Sequence, residues 1–317
     1  MYIEQAFKAK TDWWRYLIGI IIIFFGWQVL GVIPLTVVAF LKAGNTGTFI
    51  AAAEENFSTL GIDANLLFFL FLLMFTCGLL GLWFAVKYVH EQPFREVTTS
   101  RKKVDWGRIR FAFLMVFAVN LILFAIGYMA EPETFEWNFQ PIPFLILFFV
   151  TVLVMPLQTS FEEYLFRGYL MQGLGILAKN RWFPLIFTSV CFGLLHSLNP
   201  EVEKLGYIMM VFYIGTGFLL GIMTLMDEGM ELALGFHAGN NIFAALMVTA
   251  DWTAIQVPSL FLDTSDPSAG FDVVTPVIVL YPIYLFILAR KYNWSNWKQK
   301  LFGKVNPPVT VNYSEEM

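Results

Sequence analysis

Histidine and cysteine are scarce in this chain: its 317 residues include three of the first and two of the second. The cysteines, Cys77 and Cys191, each fall within an apolar run. They imply no disulfide framework and read as reduced packing residues. Charge is scarce too, with Asp, Glu, Lys and Arg making up 14% of the residues against 58% hydrophobic, and mean hydropathy is +0.65. That balance excludes an ordinary water-soluble domain, and no nucleic-acid partner is expected. No internal repeat is visible. No small-residue cleavage site follows the apolar run that starts at Tyr16, which therefore reads as a retained first span.

What the chain has in quantity is apolar sequence of membrane length, including 34 phenylalanines. A spanning helix needs about 20 mostly apolar residues. Suitable runs lie near 16–41, 64–89, 109–130, 142–170, 182–198, 205–226, 231–250 and 273–290. The fold expected is all-α, a polytopic transmembrane helix bundle with about eight spans. Membrane lipid is its expected surroundings.

With eight spans, the basic segments all fall on one side: Lys8 to Arg15, Lys87 to Arg110, Lys179 with Arg181, and Arg290 to Lys304. The alternate connections are mostly acidic, with Glu54, Glu131, Glu201 and Asp263 among them. The positive-inside rule then places both termini in the cytoplasm, in a membrane expected to be a bacterial plasma membrane. The acidic connection with Asp227, Glu228 and Glu231 is an exception on the same side. The basic segment 91–107 reads either as an amphipathic helix on the anionic leaflet or as a solvated loop. The residues after Lys304 read as a disordered tail. The organisation expected is a cytoplasmic segment 1–15, accessory spans over 16–130 with a basic loop at 90–108, and a catalytic core over 131–250. An outer loop and last span over 251–290 and a cytoplasmic tail over 291–317 complete it.

Strong polar groups are unevenly distributed. The second and eighth runs contain almost none, the first has Gln28 and the third Asn120, whereas Glu162, Glu163, Arg167, His196, His237, Asn240 and Asn241 crowd into three others. An ionised group at the centre of a bilayer helix costs roughly 2.5–3.5 kcal/mol or more, so these side chains should converge on one protein-lined cavity. Glu163 and Arg167 are four apart and share a helix face suited to an ion pair. Glu162 is turned about 100° away and is left free. Phe192 with His196, and His237 with Asn241, are also four apart, so each pair presents one face. His90 at a span end and Asn240 read as structural hydrogen-bonding residues, and Gly168, Gly193, Gly235 and Gly239 as close-packing sites between helices.

Peptide hydrolysis needs a base to activate water, donors for the oxyanion and a proton for the leaving amine. Glu162 can be the base, and His196 can position the same water and pass on a proton. His237 and Asn241 can donate to the oxyanion. Ser160 and Cys191 lack an adjacent base, which disfavours a covalent nucleophile. Two histidines and a glutamate are also a common zinc set. No His-Glu-x-x-His occurs in the chain, however, and metal-free chemistry is the reading preferred, with no cofactor expected.

In this order, Glu162-Glu163-x-x-x-Arg167, Phe192-x-x-x-His196 and His237-x-x-x-Asn241 resemble the three motifs of the CAAX protease and bacteriocin-processing family, which includes the type II CAAX prenyl endopeptidases. The resemblance covers roughly residues 142–250. It implies intramembrane proteolysis, with Glu162 as catalytic glutamate, His196 as its partner in activating water, and His237 with Asn241 as the oxyanion pair. Glu163, Arg167 and Phe192 would support the substrate-binding side. The implied partner is a peptide or membrane-protein substrate. A zinc-dependent protease, a non-proteolytic scaffold or bacteriocin-immunity protein, and a proton-coupled transporter are the competing readings. Rises of about 1.5 Å per residue bring Glu162, His196 and His237 together only in the inner half of the membrane, if the fourth span continues past Gly168 or begins outside the hydrocarbon, and predict a cavity open to the cytoplasm.

Overall fold

The computed structural model describes residues 1–254, 256–266 and 270–307. Eight principal helices can be followed in it. Six are long and apolar enough to cross a membrane: α1 (Trp13–Ala43), α2 (Ala64–Val89), α3 (Trp106–Ala130), α4 (Pro141–Ala178), α6 (Met209–Asp227) and α8 (Val273–Lys291). The shorter α5 (Trp182–Leu194) and α7 (Glu231–Met247) complete the bundle. The all-α polytopic architecture is thus present. The two helices below spanning length are among the three that carry the polar motifs.

Local chemistry sets several of the boundaries. Asp63 accepts from the Leu66 amide to cap α2, and Asp105 accepts from the amides of Gly107 and Arg108 to cap α3. Prolines at 141 and 143 start α4, where a missing N–H costs nothing. That helix does continue past Gly168, reaching Ala178. At about 1.5 Å per residue it is roughly twice as long as a hydrocarbon layer is thick.

The connections sort to two ends. At one end Thr99 bridges Gly229 and Asn180 bridges Lys304. The amino terminus docks there as well, with the buried Tyr2 hydroxyl donating to the Val97 carbonyl at 2.5 Å. At the opposite end, called outer here, three short strands form a sheet in the order β1-β3-β2. Strand β1 (Phe135–Trp137) runs antiparallel to β3 (Phe261–Asp263), and β2 (Val248–Thr249) runs parallel to β3. This division is the one that eight crossings require.

The acidic α6–α7 connection and the basic α2–α3 connection explain each other. Arg101 reaches Asp227 at 2.8 Å and Glu231 at 3.0 Å, and Arg108 reaches the second Asp227 oxygen at 2.5 Å. Asp227 and Glu231 are almost fully buried, so their charges are held by partners rather than by water. The segment 91–107 contains only a short helix, Phe94–Thr98, and Arg101 is folded into the protein. At the carboxyl end Val305 is buried and its amide donates to Lys179, so order extends past Lys304. Residues 308–317 of the expected disordered tail lie outside the described residues.

Four apolar clusters hold the helices. One joins α3, α6, α7 and α8 through Val116, Leu219, Leu232, Phe236 and Tyr284. Another joins α1, α2 and α4 through Ile23, Leu82 and Phe161. Between α3 and α7 the backbones touch. A Cβ on Gly235 would meet the Ile109 carbonyl at 2.0 Å, and one on Gly239 the Phe113 carbonyl at 2.8 Å. Glycine is required at both, as expected for close-packing sites.

Candidate active site

The site begins on α4, where Glu163 ends a regular α-helical stretch and a wider π-helical stretch, Tyr164–Leu170, follows. Such widened turns recur at functional sites. Pro156 sits in the same helix. The Arg167 guanidinium donates to Glu163 Oε1 at 2.9 Å and to the Gly217 carbonyl of α6 at 3.2 Å. Both side chains are fully buried. The expected ion pair is therefore present.

Glu162 is not left free. The α7 residue His237 stands between the two carboxylates, with Nδ1 2.8 Å from Glu163 Oε1 and Nε2 3.4 Å from Glu162 Oε2. Reasoning within α4 could not find this, because the contact comes from a second helix packed on the same face. Glu163 Oε1 already accepts from Arg167, so Nδ1 of His237 is the donor toward it. Its Nε2 is then directed at Glu162. The result is a row of alternating groups: Arg167, Glu163, His237, Glu162.

His196 lies just beyond the last residue of α5. Its Nδ1 is 2.8 Å from the Phe192 carbonyl, which can only accept, so Nδ1 carries the proton and Nε2 is the acceptor in the neutral ring. The ring stacks on Tyr213 of α6 at 4.4 Å and 20°. Phe192 lies between the two histidines, its centroid 4.8 Å from the His196 ring and 5.9 Å from the His237 ring. The Arg167 guanidinium covers the same ring at 4.3 Å. The three motifs thus meet around Phe192, but the contact to Glu162 is made by His237 rather than by His196.

Asn241 and Asn240 complete the wall. Asn120 of α3 donates to Asn240 Oδ1, and Asn240 donates to Asn241 Oδ1, both at 3.1 Å. Asn240 therefore bonds a neighbouring helix, as a structural residue should, and also orients Asn241. Asn241 thus has a partner for its oxygen and itself lines the cavity. His90 fits its structural assignment, bonding the Lys10 carbonyl at 2.7 Å and the Tyr169 hydroxyl at 2.8 Å.

His196, His237, Asn240 and Asn241 line one cavity of about 500 Å³, within the usual range of small-ligand sites, about 300–1,000 Å³. The opening expected is toward the cytoplasm; the lining found extends to the end opposite the docked amino terminus. The walls reach Asn199, Glu201, Thr253 and Ala254 in the two outer connections. Tyr2, Val97 against Gly168, and the Arg101 pairs to Asp227 and Glu231 are packed at the inner end and do not line the cavity. Tyr281 and Tyr284 of α8, a helix poor in polar sequence, also line the cavity, as does Tyr213. Lone aromatics in apolar runs gave no signal of this; the isolated Asn120 did give one. Among the described residues, no three His, Cys, Asp or Glu side chains are grouped to hold a metal ion.

These features define an integral membrane protein with a carboxylate–histidine–amide cluster inside its bundle. The family model described as Type II CAAX prenyl endopeptidase Rce1-like matches residues 138–243, the segment holding all three motifs. The chain is also 31% identical over 263 residues to a protein of Bacillus subtilis (strain 168) described as Uncharacterized protein YyaK, covering 82% of this chain and 86% of that one. No solved structure matches it significantly. The chain belongs to the CAAX protease and bacteriocin-processing family.

Proposed function

We propose that this protein is a metal-free intramembrane endopeptidase that cuts a peptide or membrane-protein substrate by glutamate-activated water. The observation that carries the reading is His237 held between Glu163 and Glu162 at 2.8 and 3.4 Å, beside a cavity wall that presents Asn241. Glu162 takes a proton from water as the oxygen attacks the peptide carbonyl. The carbonyl oxygen gains the negative charge and accepts from the Asn241 amide, while the proton taken from water is shared between Glu162 and His237 Nε2, which directs it at the same oxygen until it is passed on. Collapse of the intermediate breaks the C–N bond, and the proton held by Glu162 or His196 passes to the leaving amine. His196 Nε2, unprotonated in the neutral ring, receives a hydrogen bond from the attacking water. Arg167 and Glu163 fix the His237 tautomer and do not touch substrate.

The orientation proposed is both termini cytoplasmic in a bacterial plasma membrane. It is supported by the gathering of Arg101, Arg108, Lys300 and the docked amino terminus at one end. The test is cleavage of a quenched peptide library by detergent-purified protein, with Glu162→Gln and His196→Ala alongside, each with and without a strong chelator. Loss in both variants and indifference to chelator are expected. Chelator-sensitive cleavage would replace the metal-free reading with a zinc one, and undiminished cleavage by Glu162→Gln would end the glutamate assignment.

A further inference from the structure

The cavity has a charge signature that the reaction does not use. Among the described residues lining it, Glu201 is the one carboxylate, since Glu162 stands behind His237, and no lysine or arginine reaches the wall. Arg167 is shut away beneath the Phe192 ring, with two of its nitrogens committed to Glu163 and to Gly217.

Glu201 lies at the outer mouth, on the short helix Pro200–Leu205. One oxygen accepts from the Tyr213 hydroxyl and lies 3.4 Å from Asn199 Nδ2, and the other accepts from the Ala254 amide at 3.0 Å. These donors are neutral. They fix the carboxylate in place while leaving its charge uncompensated, and one of them, Tyr213, is the residue stacked on His196. The negative charge is thereby tied mechanically to the reacting group.

A fixed carboxylate in a partly enclosed cavity whose wall carries no lysine or arginine attracts a cation and repels an anion more strongly than it would in water. We propose that Glu201 is a specificity-determining residue. It selects an apolar peptide segment carrying a lysine or arginine side chain or an amino-terminal ammonium near the scissile bond, and it disfavours a free carboxylate there. The inference rests on the peptidase reading for the fate of the bound segment, although recognition can be measured without cleavage.

The experiment is fluorescence anisotropy on full-length protein in detergent, with wild type and Glu162→Gln as receptors. The probes are apolar peptides of one length, carboxyl-amidated, with Lys, Gln or Glu at a single position, plus the Gln peptide with a free carboxyl end. Affinity should fall in the order Lys, Gln, Glu, with at least a fivefold preference for Lys over Gln at low salt, and the free acid should bind more weakly than its amide. In Glu201→Gln, which can still pair with Tyr213 and Ala254, the Lys-to-Gln ratio should collapse toward one. In Glu203→Gln, which removes an equal charge from an exposed position of the same helix, it should persist. Equal binding of the Lys and Glu peptides, a preference that survives in Glu201→Gln, tighter binding of the free acid, or no binding of any probe would each overturn the proposal. The expected order without any cleavage would count against the peptidase reading and not against this one.

Discussion

Arg167, Glu163, His237 and Glu162 form a row in which each side chain contacts the next, and the first two are a fully buried ion pair. Buried ion pairs are costly to break, at about 3–5 kcal/mol when one partner is deleted, because the survivor stays buried. Arg167→Ala should therefore lower the melting temperature sharply, and Arg167→Lys should fall short of rescue because one ammonium cannot reproduce the two-way fork. Glu163→Gln keeps the shape but loses the charge that orients His237. A drop in kcat of about 10²–10⁴-fold with KM little changed is expected, in line with loss of one acid–base component, and steady-state kinetics on the peptide substrate would measure it. Away from the cavity, burial holds the His90 imidazole below its ordinary value of 6.5, outweighing the opposing bond to the Lys10 carbonyl. The unfolded chain then takes up the proton first, so this residue's contribution falls as pH drops below about 6.5 and is level above it. Melting curves in detergent at pH 7.5 and 5.5 should show a smaller acid loss for His90→Gln than for wild type.

At the scale of elements, the α3–α7 contact decides whether the site exists. Asn120 reaches Asn240 only because Gly235 and Gly239 let the two backbones touch. Gly235→Ala inserts a methyl against a carbonyl that cannot yield, and overpacking of this kind costs about 1–3 kcal/mol. The expected outcome is a lower melting temperature together with reduced activity, since α7 carries His237 and Asn241; a variant as stable and active as wild type would show that the helices have room to separate. The helix-period argument for Glu163 and Arg167 was sufficient because both lie on one helix. The same argument left Glu162 unpaired, because a single helix says nothing about what packs across from it. Glycine spacing pointed to close contact but not to which partner helix would make it.

For the whole molecule, the testable property is sidedness. In a background without Cys77 and Cys191, a cysteine at the exposed Lys102 and another at the exposed Lys204 should react with a membrane-impermeant maleimide from opposite faces of sealed cells or inverted vesicles. Labelling of both from one face would break the eight-crossing arrangement. The alternation of basic and acidic connections foretold this division, which the end-sorting of the strands and bridges follows. Counting residues along each helix locates a depth, but which connections form the cavity's wall, here those of Asn199 and Ala254, is decided by packing across the bundle.

The sequence by itself determined a helical membrane protein and a concentration of seven polar positions in three apolar runs, because charge in hydrocarbon is too costly to be incidental and the helical period fixes which residues share a face. Tertiary structure alone decided that Glu162 meets His237, that Tyr213 and Glu201 stand behind His196, and that the cavity lining extends to the end opposite the docked amino terminus. Those contacts join residues distant in the chain, where local periodicity carries no information and the packing of one helix against another sets the distance.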